Sequence, residues 1–196
     1  MKKKEKKRVE ELVLKSFGAA FLISLGNFAL LKLGNPIGPV IFAFGLLGVC
    51  YLGQNLFTGK CGFIISDKIS LCDISLILVC NMLAGYLIGL LYSSTDASLA
   101  PAAAEKIATW DFSFAFFSKS LLCGAIMYLA VKMYKKGTPL GIIFGVPLFI
   151  FCGFQHCVAN IVTLGVAQTF SLTIVLCIIG NFFGSLATWY MTRDLK

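Results

Sequence analysis

The chain has 196 residues, 58% of them hydrophobic and 13% charged, with a formal net charge of +8 and a mean hydropathy of +0.88. A soluble domain carries about 25% charged residues, so the composition excludes an ordinary soluble protein, and apolar runs from Ser16 to Tyr190 leave no room for a separate soluble domain. The basic residues flank apolar spans and do not form an aromatic-rich polar face, which argues against nucleic acid as a partner and for the lipid bilayer.

In chain order, residues 1–15 hold seven of the seventeen Lys and Arg. They have the composition of a basic interfacial helix, or of a topology signal that keeps the N-terminus cytoplasmic. No small-residue cleavage site precedes a polar mature region, so the segment is expected to stay in the mature protein. A spanning helix takes about 20 apolar residues. By that measure spans fall at 16–33, 36–58 and 74–93, followed by a polar outer loop at 94–111. A fourth span covers 112–131, with Lys119 able to snorkel. Residues 137–192 contain no Asp, Glu, Lys or Arg, which fits two further spans turning near 160–169. With the N-terminus inside, 14 of the 17 Lys and Arg fall on the inner side, as the positive-inside rule requires. The eight cysteines form no C-x-x-C pair and sit mostly in apolar runs. They read as small buried hydrophobes, and no metal or cofactor is expected.

Offsetting the chain by 100 residues aligns Pro39 with Pro139, Phe44-Gly45 with Phe144-Gly145, Gly53 with Gly153 and Asn81 with Asn181. Leu22 with Leu122, Ile74 with Ile174 and Leu76 with Leu176 agree too. Each repeat holds three spans, an odd number, so the second enters the membrane from the opposite side. The expected fold is an all-α membrane protein of six transmembrane helices. They form two inverted three-helix repeats, aquaporin-like, with broken second and fifth helices. The expected organisation is a cytoplasmic basic segment (1–15), first repeat (16–93), outer loop (94–111), second repeat (112–192) and cytoplasmic tail (193–196). Both repeats place polar residues where the helix is still within the membrane, from Gly53 to Lys60 and from Gly153 to Asn160. Broken backbone at that depth is tolerated only against protein or a water-filled cavity. Two facing breaks predict a central pore lined by Thr58, His156 and Asn160. Asn81 and Asn181 are expected to stabilise helix packing.

These residues resemble the motifs of the formate/nitrite transporter family. Leu56-Phe57-Thr58-Gly59 matches its first loop, Gly153-Phe154-Gln155-His156-Cys157-Val158-Ala159-Asn160 its second, and Gly180-Asn181 a pair in the sixth span. The resemblance implies a homopentamer with one pore per protomer. It implies an outer constriction of Phe42 and Phe149 and an inner one of Leu46, Leu56 and Phe57. It also implies a hydrogen bond from Thr58 to His156, and a Lys near the outer mouth that Lys106 matches by position. Family substrates are formate, nitrite, hydrosulfide and short carboxylates. Two positions depart from the pattern: Gln155 replaces a Glu, and a span-four Asn stands as Gly124.

A charge at mid-membrane costs several kcal/mol, so two apolar rings bar an anion and pass its neutral acid. His156 is the lone histidine; with an unperturbed pKa of about 6.5 it can shuttle a proton or stay neutral as a donor. The expected function is a channel or proton-coupled carrier for small monovalent anions in the inner or plasma membrane, with both termini cytoplasmic. Hydrosulfide or short-chain carboxylates are alternative substrates. An aquaporin-like neutral-solute channel is disfavoured because no paired Asn-Pro-Ala loops occur. An enzyme is not expected, since no nucleophile–base pair or paired carboxylates lie within the spans.

Overall fold

The computed structural model describes residues 2–193, so the predicted tail at 193–196 lies almost wholly outside the described residues. Helix α1 (Lys2–Leu33) is continuous through residue 15. At 1.5 Å per residue its 32 residues reach about 48 Å, well beyond the ~30 Å hydrocarbon core. The basic segment and the first span are thus one rod, with a Lys15–Glu11 pair of 2.6 Å along it and an Arg8–Asp73 pair of 2.8 Å that ties it to a later helix.

Helix α2 (Ile37–Tyr51) stops short and is followed by α3 (Phe57–Lys60) and a 3-10 turn at Cys61–Phe63. Helix α4 (Leu71–Thr95) starts at Ser70, whose hydroxyl accepts from the Asp73 N–H at 3.0 Å. The loop expected at 94–111 contains a helix, α5 (Leu99–Ala108). Its Ala-rich sequence favours helix, and Leu99 and Ala103 bury against Phe28, Val162 and Val166. Helix α6 (Phe114–Lys135) is capped by Ser113, and α7 (Leu140–Phe151) follows Pro139. Helix α8 (Cys157–Val166) runs through the turn expected at 160–169, because the Asn160 N–H bonds the His156 carbonyl at 2.8 Å and starts a regular helix. The turn comes at 167–172, overlapping the expected one only at 167–169, before α9 (Thr173–Thr192). The described residues contain no strand. Four helices are long and apolar enough to cross a membrane, namely α1, α4, α6 and α9; between them the chain is broken into the shorter pairs α2–α3 and α7–α8.

The two breaks match in detail. Gly53 and Gly153 both take left-handed backbone, φ +62° and +68°, which a side chain rarely adopts. In the first, the Asn81 side chain accepts from the Phe57 N–H (2.8 Å) and donates to the carbonyls of Ser16 (2.8 Å) and Asn55 (3.1 Å). In the second, Asn181 accepts from the Cys157 N–H (2.9 Å) and donates to the carbonyls of Ser120 (2.7 Å) and Gln155 (2.8 Å). The Asn55 N–H reaches the Lys15 carbonyl at 3.1 Å, and the Gln155 N–H that of Lys119 at 3.3 Å. Each asparagine thus satisfies backbone groups that the broken helix leaves without partners.

The pairing of Ser16 with Ser120 and of Lys15 with Lys119 shows that the first helices of the two halves correspond at an offset of 104, not 100. The backbone carbonyl of Leu22 crowds Gly45, while the side chain of Ile126 lies against Gly145. The identity of Leu22 with Leu122 is therefore coincidental. Helix α1 packs on α2 and α4, and α6 on α7 and α9. The halves interlock where α8 packs on α4 and the Cys61–Phe63 turn packs on α9.

Candidate functional site

Each break ends in extended backbone that turns a side chain toward the other half. His156 (ψ 115°) precedes α8, and Leu56 (ψ 128°) precedes α3, whose second residue is Thr58. Thr58 Oγ1 and His156 Nε2 meet at 2.8 Å, and both residues are buried, at 1% and 2% exposure. The Ala159 N–H donates to His156 Nδ1 at 3.1 Å. A nitrogen that accepts carries no proton, so this network assigns the neutral tautomer with hydrogen on Nε2, donating to Thr58 Oγ1. The hydroxyl proton of Thr58 is then free to point elsewhere.

Aromatic rings stack onto this pair. Phe149 lies 5.9 Å from the His156 ring, and Phe42 meets Phe149 edge-on at 6.0 Å. A cavity of about 390 Å³ opens beyond them, at the end where α1 finishes. His156, Asn160, Gln155, Phe42, Phe149 and Lys106 all line it. Asn160 donates to Gln155 Oε1 at 2.9 Å and faces the Cys177 sulfur at 3.8 Å. Gln155 Nε2 donates back to the Gly153 carbonyl at 3.0 Å. Lys106 belongs to none of the ion pairs among the described residues. Burial pushes its ammonium down to about 8, opposed by the nearby Cys177 and Cys123 thiols.

A second cavity, of about 220 Å³, opens on the opposite side and is lined by Leu56, Lys60, Gln54, Tyr134 and Lys135 among others. Of the predicted inner ring, Leu56 faces this space. Leu46 and Phe57, 0% and 2% exposed, are packed in the apolar core and line neither cavity. Gly124 faces away from both: a Cβ there would stand 2.1 Å from the Asn181 carbonyl oxygen. Its role is close contact of α6 with α9, so the Asn of the family pattern has no room here.

Two features went beyond sequence reasoning. Asn81 and Asn181, expected to stabilise helix packing, act on the breaks themselves. Their common spacing, 24 residues after Phe57 and Cys157, was the available signal. The Cys177 sulfur, 3.2 Å from the Gln155 carbonyl, had no such signal among eight cysteines.

Comparison with known proteins bears on this arrangement. No curated protein matches the sequence. Among solved structures, the chain is similar to an FNT family ion channel at 22% identity and TM-score 0.71, covering 95% of this chain and 88% of that one. It is also similar to a pentameric formate channel with formate bound, at 19% identity and TM-score 0.74, covering 95% and 94%. At such identities the likeness speaks for the fold. The family model described as formate/nitrite transporter matches residues 1–188, nearly the whole chain with both breaks, and the chain belongs to the formate/nitrite transporter family.

Proposed function

We propose that the protein conducts small monovalent anions of the formate and nitrite class across the membrane, through a path that runs between the two breaks. The observation that carries this reading is the Thr58–His156 bond of 2.8 Å, a polar contact between halves set beneath paired phenylalanines. Polar side chains in a hydrocarbon-facing protein are costly without a function or a partner. Here His156 lines the larger cavity, and Gly59, the residue after Thr58, lines the smaller one.

Lys106 supplies the attraction at the first mouth. The anion then meets the Asn160 and Gln155 amides in the vestibule, with the Thr58 hydroxyl beyond the phenylalanine ring. Low dielectric raises the pKa of a weak acid, so the anion takes a proton from vestibule water and crosses the Phe42–Phe149 ring as the neutral acid. The inner ring of Leu46, Leu56 and Phe57 repeats this filter, with Leu56 as its vestibule face. The bond from Ala159 to Nδ1 supports His156 as a neutral donor and not as the proton carrier.

The matched breaks and the 100-residue offset support six spans in two inverted repeats. The path then lies at their interface, as in other transporters of that build. The positive-inside bias supports cytoplasmic termini in a plasma or inner membrane, and the pentameric neighbour supports a homopentamer. The test is uptake into proteoliposomes of formate, nitrite, hydrosulfide and acetate at two pH values, with His156→Phe beside wild type. Full pH-dependent uptake by the variant would remove His156 from the mechanism. Glycerol permeation without anion uptake would turn the reading toward a neutral-solute channel.

A further inference from the structure

The two cavities are images of one another. Every residue that the first break contributes to the smaller cavity has a counterpart 100 positions later lining the larger one. Gly53 and Gly153 correspond in this way, as do Leu56 and His156, and Lys60 and Asn160. On the facing wall, where the offset is 104, Tyr134 and Lys135 correspond to Leu30 and Leu31. The smaller vestibule therefore carries an ammonium where the larger has an amide, and a second ammonium where the larger has a leucine.

The charges around the smaller vestibule do not cancel. Lys135 is held by Asp67 at 2.5 Å, with its ammonium 3.9 Å from the centre of the Phe63 ring. Lys60 joins none of the ion pairs among the described residues and is half-buried. Asp67 is the carboxylate near both lysines and is engaged by Lys135, so the half-buried Lys60 ammonium has no carboxylate in contact, and a small anion in the open space beside it would supply a counterion.

We infer that the smaller vestibule is a second anion-binding station, in which Lys60 holds a small carboxylate or oxyanion at the position that Asn160 occupies in the other half. The inference deepens the transport reading and rests on it for its biological use: the path would be loaded from either side, each mouth with its own lysine, Lys106 on a separate helix and Lys60 on the break itself. Because Lys60 stands two residues past Thr58, an anion held there is one step from the centre.

The test is line broadening of ¹³C-formate by the detergent-solubilised full-length protein. Lys106→Met is used as background, so that binding at the larger vestibule is weakened. Broadening should persist in Lys106→Met, fall at least fivefold when Lys60→Asn is added, and survive within twofold with Lys60→Arg, which keeps the charge. Broadening left unchanged by Lys60→Asn would overturn the inference, as would its loss in Lys60→Arg with the pentamer intact by size. In oriented proteoliposomes, Lys60→Asn should raise half-saturating formate about tenfold from the Lys60 face only; an equal change from both faces would also overturn it. Formate broadening that depends on Lys60 in a protein that fails to transport would sink the transport reading and leave this site standing.

Discussion

Replacing Asn181 by Ala isolates what holds His156 in place. The Asn181 side chain is fully buried and makes three hydrogen bonds to main-chain groups of the second break or of α6, besides a long contact of 4.0 Å from the Cys177 thiol. Each buried group left without a partner costs about 1–3 kcal/mol. Measured interhelical bonds in membranes fall nearer ~0.6–2 kcal/mol. Three losses together should therefore destabilise the protein by about 2–5 kcal/mol. One freed group is the N–H of Cys157, the residue after His156, so the imidazole loses its fixed place opposite Thr58. The expected outcome is a lower unfolding free energy in mixed micelles, by about 2 kcal/mol or more, and a fall of about tenfold or more in formate uptake. Asn81→Ala frees the Phe57 N–H and two carbonyls and should cost a similar amount. An Asn181→Ala protein as stable as wild type, with unchanged uptake, would refute the claim that these side chains hold the breaks.

Other perturbations follow from the same geometry. Gly124→Ala would place a methyl 2.1 Å from the Asn181 carbonyl oxygen; overpacking of this kind costs about 1–3 kcal/mol, and a melting temperature equal to wild type would contradict the close α6–α9 contact. Phe149→Ala removes one half of the edge-on pair with Phe42. Lactate uptake should rise about fivefold relative to formate, and an unchanged ratio would place the constriction elsewhere. Lys106, with its pKa at about 8, is a cation below that pH and loses its charge above it. On the proposed reading, its contribution to anion capture should be present at pH 7 and lost as pH rises past 8. Half-saturating formate in Lys106→Met should exceed that of wild type about fivefold at pH 6.5 and converge with it at pH 9.5; a ratio constant with pH would remove the charge from the mechanism.

Much of this was legible in the sequence because the bilayer permits few solutions. Apolar run lengths located α1, α4, α6 and α9, and Gly53 and Gly153 marked both breaks. The Thr58–His156 contact was implied by the resemblance to the formate/nitrite transporter family. What escaped was local backbone chemistry. Helix α8 begins at the break and runs through the position where hydropathy put a turn, because a break frees N–H groups that the following residues can reuse at once. Helix α5 lay hidden in a segment too short and too polar for a span, yet Leu99 and Ala103 have a pocket of α1 and α8 residues to fill. Gly124 looked like a missing polar side chain when read along the chain. Across the fold it is a contact surface for the α9 backbone.

The two halves share a scaffold but not a chemistry, and the difference arises from register. Asn81 and Asn181 bind equivalent N–H groups, those of Phe57 and Cys157, so the breaks correspond residue for residue. The polar residues that meet are nonetheless not equivalents: Thr58 corresponds to Val158, and His156 to Leu56. Had both halves offered the same position, the centre would hold either two apolar side chains or two copies of one polar group. Offsetting the polar residue by two positions lets one half contribute a hydroxyl just inside its short helix and the other an imidazole just before its own. The result is a donor–acceptor pair of 2.8 Å, flanked by Leu56 on one side and by Phe149 on the other. A symmetric scaffold thereby sets the distance, and two substitutions in unlike positions supply the directionality. Exchanging them, with Leu56→His and His156→Leu in one chain, tests the point: the scaffold should still form, but uptake should fall about tenfold or more, because a histidine at position 56 would face Val158 and find no hydroxyl. Retained uptake in that swap would mean that the path needs an imidazole near its middle and no defined partner for it.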